Sequence, residues 1–147
     1  MKPWLGLSVA SLAAVLAGCG GETPEAEIRS LVAAAEEAAE ARDTGFFRDL
    51  IAPGYVDPKG QHRDDLIDLL RAHFLVNRDL EILNRIEDIR LSGDEAAEVV
   101  LQTAMIGRDG AGPGFGLDGA IYRIELELVK TGGEWHLIGA DWSRILD

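Results

Sequence analysis

The chain has 147 residues, of which 26 are acidic and 14 are basic, and its formal net charge at pH 7 is −12. This length suits a single domain with a core of its own. The acidic balance counts against binding to nucleic acid or to an anionic lipid surface, because both repel negative charge. The single cysteine, Cys19, excludes an internal disulfide and a zinc site built from cysteines.

An uncharged run, Trp4–Leu16, follows the basic residue Lys2 near the N-terminus. The run is shorter than the roughly 20 apolar residues that a membrane-spanning helix needs, and its length and flanks are typical of a secretory signal peptide. The small pair Ala17-Gly18 comes next and would let a peptidase approach the backbone. The thiol of Cys19 then provides a nucleophile for acylation.

The segment Leu16-Ala17-Gly18-Cys19 resembles the lipobox of bacterial lipoproteins. The resemblance implies a signal peptide at residues 1–18, lipid such as palmitate on Cys19, and a short tether over residues 19–23. Several acyl chains anchor a protein stably, because each buried CH₂ contributes about 0.8 kcal/mol. Gly20 in place of Asp after the cysteine implies the outer membrane, with the domain facing the periplasm. The alternative is an ordinary secretory peptide with an incidental cysteine.

A first helix is predicted to begin at Thr23-Pro24, since Thr can cap the first turn and Pro loses no hydrogen bond there. Apolar residues then recur at helical spacing. They are Ile28, Leu31, Val32, Ala35 and Ala39. Glu36, Glu37 and Glu40 are interpreted as solvated side chains outside this face.

Two further helices are predicted before the sheet. One begins at Asp43 or Thr44 and ends before Pro53-Gly54, and the other follows a turn at residues 57–60 and runs to about Asn77. The apolar face of the latter includes His73. This side chain is interpreted as a neutral core histidine in preference to a catalytic base.

From about residue 82 the apolar period changes to two, which predicts strands. The apolar positions change parity between Ile86 and Ile89, which predicts a β-bulge near Glu87-Asp88. Later strands are expected at about 97–106, 122–128 and 135–142, the last two joined by a tight hairpin at Gly132-Gly133. Three helices followed by about four mostly antiparallel strands indicate an α+β fold.

Two segments resemble the nuclear transport factor 2-like superfamily, whose fold is also called cystatin-like. They are the run from Phe46 to Ile51 with Tyr55-Val56, and the run from Gly133 to Ile138 with Asp141-Trp142-Ser143. The resemblance spans roughly residues 25–145 and implies one domain, residues 24–147, in which a curved sheet and three helices form a cone. The superfamily includes polyketide cyclase-like and steroid isomerase-like enzymes as well as binding and dimerising domains, so the fold does not settle the function.

Six polar side chains are predicted to line such a cone: Tyr55, His73, Asn84, Gln102, Tyr122 and Asp141. Strand parity places Asp141 on the same face as Trp135 and Leu137. A carboxylate in an apolar pocket has a raised pKa and serves as a general base. A surface position, or an ion pair with Arg123 or Arg144, is the preferred alternative for Asp141.

Neither a metal nor a cofactor is expected. The Gly-rich run 114–119 matches G-x-G-x-x-G, but a strand follows it where a dinucleotide site needs a helix. It is interpreted as a hairpin loop, with Phe115 and Leu117 as apolar contacts if it covers the cone. His62 and His73 would lie about 16 Å apart along a helix, too far for one ion. The turn Asp57-Pro58-Lys59-Gly60 departs from an EF-hand loop, because Lys59 occupies a position that should ligate calcium.

Three functions follow from these observations. The preferred one is a lipid-anchored domain that binds a small apolar ligand or a protein partner, because no catalytic set can be assembled. The second is an enzyme for proton abstraction or dehydration that uses Asp141, His73 or Tyr55 as acid or base. The third is a structural lipoprotein that forms homodimers through the face of its sheet.

Overall fold

The computed structural model describes residues 21–77, 79–107 and 120–146. The predicted lipid site, Cys19, and the Gly-rich run 114–119 therefore lie outside the described residues. No helix within the described ranges combines the length and the apolar character needed to cross a membrane.

Three helices come first in the chain: α1 (Pro24–Glu40), α2 (Thr44–Leu50) and α3 (Arg63–Val76). The first two begin where the sequence predicts, because a side-chain oxygen just before each helix accepts a backbone N–H from its first turn. Thr23 does so for α1 and Asp43 for α2, each at 3.2 Å.

Four strands follow: β1 (Leu80–Ser92), β2 (Ala96–Gly107), β3 (Ala120–Thr131) and β4 (Glu134–Leu146). They form one sheet in the order β1-β2-β3-β4, and each neighbouring pair is antiparallel. The predicted α+β fold is confirmed. The last strand is longer than predicted, since it continues past residue 142.

The bulge predicted near Glu87-Asp88 is confirmed. Ile86 pairs with Leu101, but the next pair along the ladder joins Asp88 to Val100. Glu87 is therefore an extra residue on β1, and the apolar positions on either side of it stay on the face toward the helices.

A second bulge lies on β4 and was not predicted from the sequence. Glu127 pairs with Gly139, whereas the adjacent Leu128 pairs with Leu137. Ile138 has no partner on β3, so two consecutive residues of β4 stand opposite a single position.

This bulge reverses the alternation of β4. Leu137 and Ala140 are both buried in the core. In a regular strand, two residues that are three positions apart would point to opposite faces, so the bulge is what brings both to the same face. Trp142 packs on the same core, whereas Asp141 lies on the opposite face and is exposed. The prediction that Asp141 shares a face with Trp135 and Leu137 is therefore wrong.

α1 is attached to β3 and β4 through the carboxylate of Glu27. Glu27 Oε2 accepts hydrogen bonds from Lys130 Nζ at 2.7 Å and from Trp135 Nε1 at 2.8 Å. The hydrogen bond from Lys130, followed by that from Trp135, lowers the pKa of Glu27 below its ordinary value. The next residue of α1, Ile28, and Val32 one turn later both enter the core.

The outer edge of β1 is covered by glutamates of α1. The backbone N–H of Ile82 donates to Glu40 Oε1 at 3.1 Å, and that of Asn84 donates to Glu36 Oε2 at 3.0 Å. The interpretation of Glu36 as a solvated side chain is therefore wrong, because Glu36 is half-buried, whereas Glu40 accepts its hydrogen bond and stays exposed. An edge strand has backbone donors without strand partners, and these two carboxylates supply the acceptors.

The outer edge of β4 is covered by the chain that follows α2. The N–H of Ala52 donates to the carbonyl of Leu137 at 2.9 Å, and the N–H of Val56 donates to the carbonyl of Ile138 at 3.2 Å. The segment thus runs beside the bulge and satisfies part of the edge there.

The lowered pKa of Glu27 predicts a pH-dependent contribution to stability. A carboxylate whose folded pKa lies below its ordinary value of 4.5 stabilises the fold above that pH, and the effect disappears as the pH falls through the lowered pKa. In urea unfolding, Glu27→Gln is expected to be less stable than the wild type at about pH 7, with the gap shrinking towards about pH 3. The control Glu25→Gln removes an exposed pair with Arg29 and should change little. Equal pH profiles for the wild type and Glu27→Gln would contradict this role.

Candidate functional site

A cavity of about 260 Å³ lies between the helices and the concave face of the sheet. Its wall is largely apolar. Representative lining residues are Leu31, Leu50, Leu66, Leu70, Leu101, Met105, Leu126 and Trp142.

The composition of α1 explains why space remains here. The helix presents Ala35 and Ala39 to the cavity, where larger side chains would reach the sheet. The strands below present alternate residues, among them Leu101 and Thr103 of β2. Small side chains opposite the sheet leave a volume that the described residues do not fill.

A connected set of polar groups forms part of the wall. Glu36 Oε2 accepts hydrogen bonds from the backbone N–H of Asn84 at 3.0 Å and from its Nδ2 at 3.1 Å. The hydroxyl of Thr103, which is 3% exposed, donates to Asn84 Oδ1 at 2.6 Å. The amide of Asn84, one of the six predicted cavity residues, is therefore fixed on both sides.

His73 and Asn77 also line the cavity, at the end of α3. Asn77 Nδ2 donates to the backbone carbonyl of His73 at 3.1 Å, and this Asn side chain is buried. The ends of α1 and α3 meet the start of β1 here, because Ala39, Phe74 and Ile82 pack in one cluster. The polar groups therefore gather toward one end of an apolar cavity.

Tyr55 is fully buried but does not line the cavity. Its hydroxyl donates to Asp57 Oδ2 at 3.3 Å, and burial together with the Asp57 carboxylate raises the pKa of Tyr55 well above its ordinary value. Tyr55 is thus a neutral phenol at physiological pH. Asp57 Oδ1 also accepts the N–H groups of Lys59 and Gln61, which forms the turn predicted at residues 57–60.

The remaining three sequence candidates lie elsewhere. Gln102 donates to Glu87 on the outer face of the sheet, and Asp141 stands opposite Glu125 on that same exposed face. Tyr122 stands opposite Thr103, so it shares the concave face, but it is not part of the cavity lining. Of the six candidates, the structure brings only His73 and Asn84 to the cavity.

The outer face contains a second recess of about 540 Å³ with an acidic wall. The acidic residues that line it are Asp57, Glu98, Glu125, Glu127 and Asp141. Arg90 also lines the recess and pairs with Glu98 at 3.5 Å. Across the described ranges, no three His, Cys, Asp or Glu side chains are arranged to hold a metal ion.

No protein-family model matches the sequence, and no curated protein matches it either. Solved structures do match. One is a nuclear transport factor 2-like protein of unknown function from Silicibacter pomeroyi, with a TM-score of 0.61 and 12% identity over 82% of this chain and 94% of that one. The fold is nuclear transport factor 2-like.

Two other solved structures share this fold. A ketosteroid isomerase-like protein from Erwinia carotovora atroseptica matches with a TM-score of 0.64 and 16% identity, over 83% of this chain and 96% of that one. Bd1075 from Bdellovibrio bacteriovorus matches with a TM-score of 0.67 and 11% identity, over 80% of this chain but only 40% of that one. At such low identity the likeness concerns the fold alone.

Three cavity residues were missed in the sequence: Glu36, Asn77 as a polar wall residue, and Thr103. Helical spacing could have found Glu36, because it lies four residues after Val32 and three before Ala39, on the same face. Strand parity could have found Thr103, two residues after the core residue Leu101.

Replacing Thr103 by Val is predicted to destabilise the fold by about 1–3 kcal/mol, because Asn84 Oδ1 loses its buried donor. Urea unfolding measures this loss. Thr131→Val at the exposed end of β3 is the matched control and should stay within about 0.5 kcal/mol of the wild type. Equal effects of the two substitutions would show that the hydroxyl of Thr103 contributes nothing.

Proposed function

We propose that this protein is a lipid-anchored domain, facing the periplasm, that binds a small apolar ligand in the cavity between its helices and its sheet. The observation that carries the proposal is the cavity itself. An apolar wall with a few converging polar groups is the usual construction of a small-molecule site.

The size of the cavity limits the ligand. A protein cavity of about 150 Å³ holds one benzene molecule, so a volume of 260 Å³ corresponds to about ten non-hydrogen atoms. A compact bicyclic compound or a medium-length alkyl chain meets this limit.

The proposed anchor is lipid on Cys19, after removal of residues 1–18. Gly20 to Thr23 then separate the lipid from the start of α1 and reach at most roughly 14 Å when extended. An acidic domain on such a tether stays near the headgroups but is repelled by anionic lipid. Gly20 supports the outer membrane as the location.

Catalysis is less well supported. Of the three candidate acids or bases, Asp141 lies on the outer face, and Tyr55 lies outside the cavity with a raised pKa that disfavours a base. His73 lines the cavity, but one such group does not make a catalytic set. The isomerase-like name belongs to a neighbour that shares only the fold.

Association through the outer face of the sheet is also less well supported. This face has a row of charged and polar side chains across three strands, where Arg123 bonds Glu87 at 2.7 Å and Glu125 at 3.3 Å. Interfaces between copies usually have an apolar centre that lacks such charges.

Filling the cavity is expected to abolish ligand binding. Ala35→Phe places a ring in the space opposite the sheet, whereas Ala33→Phe adds the same ring to the exposed side of α1. Small molecules extracted from the protein purified from its own cells are identified by mass spectrometry. A ligand present with the wild type and Ala33→Phe should be missing with Ala35→Phe. Retention of the ligand by Ala35→Phe would place its site elsewhere.

Replacing the proposed lipid site is expected to release the protein from membranes. Cys19→Ser removes the thiol that is acylated, while Ser11→Ala alters the same segment and keeps the cysteine. Cell fractionation should find the first variant in the soluble fraction and the second in the membrane fraction. Continued membrane attachment of Cys19→Ser would refute acylation at this position.

A further inference from the structure

Among the described residues that line the cavity, Glu36 is the one with an acidic side chain. Both hydrogen bonds that it accepts go to Oε2, and both come from Asn84. Oε1 accepts no hydrogen bond from the described part of the chain. No Lys or Arg in that part forms an ion pair with Glu36 either. Within the described ranges, the partners of the Glu36 carboxylate are therefore the two neutral N–H groups of Asn84 and no Lys or Arg.

Such a carboxylate favours some occupants over others. Glu36 is half-buried, and a charge that is partly removed from water gains stability when an opposite charge or further hydrogen bonds compensate for it. An anionic headgroup next to Glu36 would add repulsion, and the net charge of −12 would oppose its approach. One cation, Lys59, stacks over the ring of Trp142 at 3.9 Å but is not part of the lining.

We propose that the ligand is an apolar amine of about ten non-hydrogen atoms whose protonated nitrogen donates a hydrogen bond to Glu36 Oε1. The apolar body of the ligand fills the space between Leu101 and Leu126 of the sheet and the alanines of α1 that line the cavity. This inference rests on the proposed ligand-binding function and adds the chemical class of the ligand. A charged donor bonds a carboxylate more strongly than a neutral donor does, and a carboxylate headgroup cannot donate at all once ionised.

The test compares four probes that each have a linear chain of eight carbon atoms: octylamine, 1-octanol, octanoate and trimethyloctylammonium. Isothermal titration calorimetry uses the full chain with Cys19→Ser. Without the lipid on Cys19, the protein can be purified without detergent, which would otherwise compete with the probes for the cavity. Octylamine is expected to bind about tenfold more tightly than octanoate, with 1-octanol between them. Trimethyloctylammonium keeps the charge but has no N–H donor, so it should bind about fivefold more weakly than octylamine.

A pair of variants then assigns the preference to one side chain. Glu36→Gln keeps an acceptor for Asn84 and removes the charge, and it should bring octylamine and octanoate to within about threefold of each other. Glu37→Gln makes the same change in net charge at an exposed neighbour and should keep the wild-type order.

The outcomes separate the two proposals. If octanoate or trimethyloctylammonium binds the Cys19→Ser protein as tightly as octylamine does, the amine class is overturned while the cavity remains a binding site. If none of the four probes binds, ligand binding by the cavity fails as well. The comparison among probes needs only the Cys19→Ser protein, in which Glu36 is unchanged, so it decides the question even if the further substitution Glu36→Gln prevents folding.

Discussion

The fold and the cavity both depend on how α1 is held against the sheet. Glu36 and Glu40 accept the free N–H groups at the edge of β1, and Glu27 binds β3 and β4 near the other end of the helix. These contacts fix the helix at both ends through its acidic side chains. Because the helix is held at both ends, Ala35 and Ala39 stay at a distance from the sheet, and the space between them and the sheet is the candidate site.

Local patterns predicted most of the fold. The helix caps at Thr23 and Asp43 and the bulge at Glu87 are encoded in short stretches of sequence, so they could be read directly. The bulge at Ile138 could not, because it depends on which residue of β3 stands opposite Leu137. Every placement after it inherits that uncertainty, which is why Asp141 was assigned to the wrong face.

The candidate site was harder to predict than the fold for a related reason. Asn84 and His73 were found because they interrupt apolar faces. Glu36 was assigned to solvent because a carboxylate normally stays there, although helical spacing put it on the inner face. What decides its position is the unpaired edge of a strand more than 40 residues later in the chain. The spacing of residues within one helix does not indicate which distant strand edge will need an acceptor.

The bulge at Ile138 also determines what the cavity wall is made of. If the residues after it slid by one position along β3, the strand would become regular, the carboxylate of Asp141 would turn inward and the indole of Trp142 would turn outward. Deletion of Ile138 would also make the strand regular, but it would keep the later pairs with β3 and so leave every later side chain on its present face. A one-residue deletion at Ile138 would therefore leave the side chains of the wall on their present face, whereas a change of alignment would reverse them.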